Sequence, residues 1–213
     1  MTRWCAASTG ATRFLSSVHR AWSLKLTRQQ RFEIRIAGFG GQGVVTIGRI
    51  LGTAFSVFGG KNSVNTQSYG PESRGGACRS EVVVSEGDIN YPYVRNADVL
   101  IALSQVALDT YIGELKEGGI LVFDPDAVTT IPPSGRFLRY AVPTVALAHA
   151  TGDLKYQNVV ALGALYELIR DRIEEASLME ALKQSVPPKT IDTNMAAFDK
   201  GKSYVQSHFL RET

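Results

Sequence analysis

The residues from 31 onward predict a three-layer α/β/α fold around a mostly parallel or mixed central sheet, and three observations carry that reading. Short apolar runs alternate with longer segments of helical periodicity, the pattern of strands joined by covering helices. Two of those runs, 99–103 and 120–123, are apolar at every position, as expected of strands buried on both faces in parallel pairing. The first run ends in Gly38-Phe39-Gly40-Gly41-Gln42-Gly43 ahead of an amphipathic stretch, the strand–turn–helix order of a Rossmann-like first βα unit.

Along the chain, 32–37 alternates charged and apolar residues and reads as the first strand. Val44, Ile47, Ile50, Leu51, Ala54 and Phe55 recur at helical spacing and predict a helix to about Phe58, ended by Gly59-Gly60. Residues 63–66 form a short second strand. Residues 67–77 are polar and glycine-rich and predict a long exposed loop, and 78–84, rich in β-branched residues, a strand. A helix over 105–116, stopped by Gly118-Gly119, links the buried strands 99–103 and 120–123. Strand 137–141 follows a loop containing Pro132-Pro133, and Pro143 opens a helix carrying Val145, Leu147 and Ala148. Residues 158–170 begin with a continuous apolar stretch and predict a buried helix; 178–186 and 194–207 predict two terminal helices.

Composition narrows the function. With 213 residues, 44% hydrophobic and 20% charged, the chain suits one globular domain. The net charge of +3 is small and local, since no Asp or Glu precedes Glu33. There is no basic stripe with interleaved aromatics, which argues against nucleic-acid binding. No apolar run approaches the roughly 20 residues of a membrane span. Cys5 and Cys78 are the two cysteines. They are too few for an iron–sulfur cluster held by four protein ligands, and they fit a reducing, cytoplasmic setting. His19, His149 and His208 are scattered, so no zinc site is visible. Residues 1–30, rich in Arg, Ser, Ala and Thr, have the composition of a transit peptide. The preferred expectation is a disordered or non-native extension, leaving 31–213 as the domain.

Gly38, Gly40 and Gly43 satisfy G-x-G-x-x-G in the right context. Such a turn brings backbone N–H groups close to an anion at a helix start. An NAD site also needs an acid about 20 residues on. Lys61, Asn62, Ser63 and Asn65 stand there instead, which argues against NAD. No Gly-Lys-Ser/Thr closes the turn, so it is not a P-loop. Two readings stay open: an anion holder, or glycines that let the helix pack closely on the sheet. The loop Ser68-Tyr69-Gly70-Pro71-Glu72-Ser73-Arg74-Gly75-Gly76 is the second candidate. Arg74 is suited to a phosphate or carboxylate, Tyr69 to stacking on a flat group. The bland reading is a surface pairing of Glu72 with Arg74. Gly87-Asp88 lacks the following glycine of a thiamine-diphosphate motif, and Cys78 has no visible activating partner.

These blocks, followed in order by Tyr91-Pro92, Ala97-Asp98-Val99-Leu100, Gly118-Gly119 and Asn158-Val159-Val160-Ala161-Leu162-Gly163, resemble the gamma subunit of 2-oxoacid:ferredoxin oxidoreductases over about 32–204. The resemblance implies a subunit of an enzyme that decarboxylates a 2-oxoacid on thiamine diphosphate and passes electrons through iron–sulfur clusters to ferredoxin, making an acyl-CoA. Thiamine diphosphate, magnesium and the clusters would sit on partner alpha and beta chains and a ferredoxin-like delta chain. Coenzyme A would be the co-substrate, and this chain would hold neither a catalytic residue nor a metal. The residues implied to face coenzyme A are Gly38, Gly40, Gly41, Gln42, Gly43, Ser68, Tyr69, Arg74, Gly75 and Gly76. The form of the blocks leans to 2-oxoglutarate; pyruvate, branched-chain and indolepyruvate enzymes share the architecture. The competing expectations are a stand-alone nucleotide-binding module of Rossmann type and a pure interaction protein.

Overall fold

The computed structural model describes residues 31–68, 78–133 and 136–210. Strand β1 is Arg31–Gly38, and its alternation puts Phe32, Ile34 and Ile36 on one face and Glu33, Arg35 and Ala37 on the other. Helix α1, Val44–Thr53, follows the glycine turn and runs into a π-helical turn, Ala54–Phe58. Strands β2, Asn62–Ser68, and β3, Cys78–Ser85, pair antiparallel. Then come β4, Ala97–Ala102; helix α2, Gln105–Tyr111; and β5, Leu115–Phe123. Strand β6 is Leu138–Ala141, helix α3 Thr144–His149, and helix α4 Gln157–Leu168. Helices α5, Glu175–Ser185, and α6, Ile191–His208, end the described chain.

The sheet is mixed, in the order β2-β3-β1-β4-β5-β6. Strand β1 pairs parallel with β4 and antiparallel with β3, and β5 and β6 continue the parallel half. The expected α/β fold with a Rossmann-like first βα unit is therefore present. The unit is followed by an antiparallel hairpin, however, and not by a parallel neighbour. The two faces are covered unequally. Side chains of Ile34, Ile36, Val82, Val99, Ile101, Ile120 and Val122 pack under α1 and α3 to α6, while α2 alone packs on Leu100, Ala102, Leu121 and Phe123 on the other face. Helix α4 is buried along its whole length, as its apolar start predicts.

One expectation fails in detail. The helix expected over 105–116 ends at Tyr111, passes through a 3₁₀ turn at Ile112–Glu114, and gives way to β5 at Leu115. Leu115 pairs with Ala97, the next pair is Ile120 with Val99, and the ladder is irregular between them. The strand thus starts before the glycines that looked like a helix stop. Lys116 points back to Asp98 at 2.8 Å, a long-range ion pair that the local helical pattern cannot show.

Candidate functional site

Glycine dictates the turn between β1 and α1. Gly41 and Gly43 have φ of +90° and +72°, the left-handed region that other residues enter only at a cost. The Gln42 N–H donates to the Phe39 carbonyl at 3.3 Å, closing the turn. The Gln42 side chain then locks it. Its Oε1 accepts from the Phe39 N–H at 2.6 Å, and its Nε2 donates to the Leu103 carbonyl just past β4 at 3.0 Å. The Phe39 N–H, one of the donors a bound anion would use, is thus already occupied by Gln42. The N–H groups of Gly40, Gly41 and Gly43 make no hydrogen bond among the described residues. Helix α1 begins with neither a side-chain cap nor an acid in its first turn, so its positive end stays available to an anion.

The register of the sheet brings Ser68 and Cys78, which flank the second glycine-rich segment, to the same end of the sheet. Gly38 lies opposite Cys78, the first residue of β3, and Ser68, the last residue of β2, lies opposite Arg79. The hairpin connection therefore leaves and re-enters the sheet beside the glycine turn, at the carboxyl end of β1 and β4. Ser68 is placed there directly; Tyr69, Arg74, Gly75 and Gly76 lie outside the described residues. Cys78 is free, and its sulfur is the nearest atom to the outer side of Gly40.

A groove of about 480 Å³ opens beside the turn, lined by Gly41, Gln42, Val145, Asp153, Leu154, Lys155 and Gln157. A buried chain of hydrogen bonds fixes its far wall. Asp124, wholly buried after β5, accepts from the Thr144 hydroxyl at 2.6 Å and from the Val145 N–H at 2.8 Å, and Gln157 Nε2 donates to the Thr144 oxygen at 3.1 Å. The start of α3 is thereby tied to the start of α4. Asn158 packs against Gly43 so closely that a methyl group there would overlap its side-chain amide. At the rim, the Lys155 N–H and ammonium hold the Asp153 carboxyl below its ordinary value, and Asp153 raises the Lys155 pKa in return. Lys155 is the one cation lining the groove among the described residues.

Sequence reasoning found the turn but not Asp124, Thr144, Gln157 or Lys155. An acid directly after an apolar strand was the signal available for Asp124; the others lie 20 or more residues further on. Asn65, inspected as the place of a ribose-binding acid, instead sits on β2 at the sheet edge. Its amide donates to the Ser80 hydroxyl and the Glu81 carbonyl, both at 2.9 Å. Among the described residues no cluster of three or more His, Cys, Asp or Glu could hold a metal ion, and no helix is long and apolar enough to cross a membrane.

Comparison with known proteins matches this arrangement to one family. The family model described as pyruvate ferredoxin/flavodoxin oxidoreductase matches residues 33–204. The 2-oxoglutarate synthase subunit KorC of Methanothermobacter thermautotrophicus is 45% identical over 184 residues, covering 82% of this chain and 95% of that protein. The crystal structure of the gamma subunit of a keto/oxoacid ferredoxin oxidoreductase from Geobacter sulfurreducens superimposes with a TM-score of 0.74 at 37% identity, covering 83% of this chain and 99% of that one. A 2-oxoglutarate:ferredoxin oxidoreductase from Magnetococcus marinus, solved with 2-oxoglutarate, coenzyme A and succinyl-CoA, gives a TM-score of 0.75 at 27% identity over 84% of this chain and 32% of that chain. A shared mixed sheet, a matched span from β1 into α6 and this level of identity lead to one conclusion: the chain belongs to the pyruvate ferredoxin/flavodoxin oxidoreductase family.

Proposed function

We propose that this chain is the gamma subunit of a multi-subunit 2-oxoglutarate:ferredoxin oxidoreductase, and that its glycine turn faces coenzyme A in the assembled enzyme. The reaction is the coenzyme-A-dependent oxidative decarboxylation of a 2-oxoacid: carbon dioxide leaves, the acyl group passes to the thiol, and the electrons go to ferredoxin. Thiamine diphosphate with magnesium and the iron–sulfur clusters belong, in this reading, to alpha, beta and delta partners. The chain works in the cytoplasm and has no turnover alone. The 45% identity to a 2-oxoglutarate synthase subunit supports the choice of 2-oxoacid.

One observation carries the site. The register sets the hairpin end, Ser68 and Cys78, beside a turn whose Gly40, Gly41 and Gly43 N–H groups have no partner among the described residues, at the uncapped start of α1. Those donors and the helix dipole suit a phosphate oxygen. Gln42 keeps the turn in shape, and Tyr69, Arg74, Gly75 and Gly76 remain part of this reading as sequence candidates, Arg74 for its suitability to a phosphate. A stand-alone dinucleotide module is disfavoured by topology as well as by the missing acid, because the neighbour of β1 on that side is the antiparallel β3.

The test is steady-state kinetics of the reconstituted complex with Gly41→Val. The substitution meets open space but forces the left-handed backbone to change. A several-fold rise in KM for coenzyme A, with KM for 2-oxoglutarate unchanged, is expected from losing a helix-start anion contact. Unchanged kinetics for both would show that the turn only packs α1. A complex that oxidises 2-oxoglutarate equally well without this chain would overturn the subunit reading.

A further inference from the structure

At the amino ends of β1 and β4, the opposite end of the sheet from the glycine turn, two tyrosines stand out of the surface. Tyr91 is 41% and Tyr93 50% exposed, yet their rings pack edge to face with centroids 5.5 Å apart. The exposed Arg95 places its guanidinium over the Tyr91 ring at 4.3 Å. The segment that carries these residues forms no helix or strand, and charged side chains of β1 and β3 hold it in place. Arg31 donates to the carbonyls of Tyr91 and Tyr93, and Arg35 to that of Val94. Glu81 accepts from the Val94 N–H, and Glu33 from those of Arg95 and Asn96. Every one of these bonds goes to the backbone of the segment. The phenols of Tyr91 and Tyr93 and the Arg95 guanidinium make no hydrogen bond or ion pair among the described residues. The strand charges thus fix the position of three side chains that the fold itself leaves unused.

We propose that this face docks a partner chain of the oxidoreductase, which presents to it an apolar side chain flanked by a carboxylate. The apolar group packs in the angle between the two rings, and the carboxylate meets Arg95. Charge decides the sign of the partner. Arg31 is matched by Glu33, and Arg35 by Glu81 and Glu114. Arg95 is the charge of this face left without an acid, so its complement is an acid on the partner. Tyr and Arg are the side chains that most often anchor a protein interface, and a tyrosine has only two torsions to immobilise. A segment already fixed in place has less freedom to lose on association. That gives the buried Arg35 and Glu81 a role which stability alone does not, since apolar residues often replace a buried ion pair without loss. The proposal rests on the reading of this chain as a subunit, but the face lies away from the glycine turn and leaves it open to its ligand.

Association of the full-length chain with the remaining chains of the enzyme, purified without it, tests this by biolayer interferometry at low and at high salt. Saturable binding of the parent is expected, weakened roughly tenfold or more by the double variant Tyr91→Ala with Tyr93→Ala, which removes two anchors. Arg95→Glu should weaken it several-fold, and by less at high salt, where exposed charges are screened. The bonds that hold the segment use backbone groups, so both variants should melt close to the parent. If the double variant does not fold, Arg95→Glu and its salt dependence decide. Unchanged or tighter binding of Arg95→Glu overturns the proposal and leaves the subunit reading intact, as does unchanged binding of a folded double variant. Absence of binding by the parent overturns both. A dimer of the parent chain that these variants abolish would assign the face to a second copy and overturn the proposal as well.

Discussion

The two faces of the central sheet are held by different physics. Under α1 and α3 to α6 the contacts are apolar, and two helices touch backbone to backbone: a methyl group on Gly201 of α6 would overlap the Val160 carbonyl of α4, and one on Gly163 would overlap the Phe198 carbonyl. Across the sheet, Arg35 and Glu81 face each other on β1 and β3, each 2% exposed. Arg35 Nε donates to Glu81 Oε1 at 2.9 Å, its Nη1 reaches Glu114 at 2.5 Å, and its Nη2 reaches the Val94 carbonyl at 2.9 Å. Glu33 accepts from the N–H groups of Arg95 and Asn96, and Arg31 donates to the carbonyls of Tyr91 and Tyr93. Tyr111, at the end of α2, lays its ring against the Arg35 guanidinium at 4.9 Å. The segment 91–96 lies beside it, and the buried ions hold that segment in place. The apolar face supplies non-directional burial; the ionic face supplies directional bonds that fix one position for residues 91–96.

The largest effect that would sharpen this contrast is Glu81→Ala. It leaves Arg35 buried with its main partner gone, which costs about 3–5 kcal/mol for a broken buried pair. Denaturant unfolding would read the loss. The paired replacement Arg35→Met with Glu81→Leu should recover most of it, because apolar side chains of similar volume often replace a buried ion pair at little cost. Failure of the double variant to recover would mean that the bonds to Val94 and the loop, and not the pair itself, carry the face.

On the apolar side the matching change is Gly201→Val. The obstacle is backbone of α4, which cannot rotate away as a side chain can, so the helices must separate. An overpacking cost of about 1–3 kcal/mol is expected, visible as a lower Tm with an unchanged Asp98–Lys116 pair across the sheet. A neutral result would show that α6 is free to slide on α4.

These two regions differ in how far the sequence reveals them. The apolar face is legible because its signal is local: Phe32, Ile34 and Ile36 alternate, and Val44, Ile47, Ile50 and Leu51 repeat at helical spacing. The ionic face is written in the same strand as Glu33 and Arg35, but local alternation marks such residues as facing solvent. Their partners lie far along the chain, Glu81 46 positions from Arg35 and Asp98 65 from Glu33. The candidate site divides the same way. Its glycines announce a turn because glycine permits left-handed backbone. The lock by Gln42 depends on the Leu103 carbonyl, 61 positions away, and only the strand register shows that Ser68 and Cys78 lie at the same end of the sheet as the glycine turn.

Gln42→Ala tests that lock with a smaller expected effect. Two hydrogen bonds are lost, and the turn loses its side-chain tie to Leu103, while the Leu103 N–H keeps its bond to the Ala37 carbonyl at the end of β1. At about 1 kcal/mol net for each bond, a drop of roughly 1–2 kcal/mol in unfolding free energy is expected. A change indistinguishable from zero would mean that the turn is held by its glycines and Asn158 alone.

The smallest effect concerns pH and bears most directly on the nature of the ionic face. Asp98 is 3% exposed, accepts from the Glu33 N–H at 2.8 Å and pairs with Lys116 at 2.8 Å. Burial nevertheless raises its pKa above 3.8, outweighing Lys116 and the Glu33 N–H, which act to lower it. The folded protein therefore holds this proton more tightly than the unfolded chain does. Its contribution to stability is greatest below 3.8 and declines as pH rises through the raised folded value, opposite in sign to an acid whose salt bridge dominates. Asp98→Asn removes the titration while keeping an acceptor for the Glu33 N–H. Urea midpoints of both proteins between about pH 3 and about pH 6, a range bracketing ordinary carboxylates, should show the parent losing stability relative to the variant as pH rises. The reverse slope would show that Lys116 outweighs burial at Asp98, making the ionic face a set of self-sufficient salt bridges instead of charges kept for the position they impose on the loop.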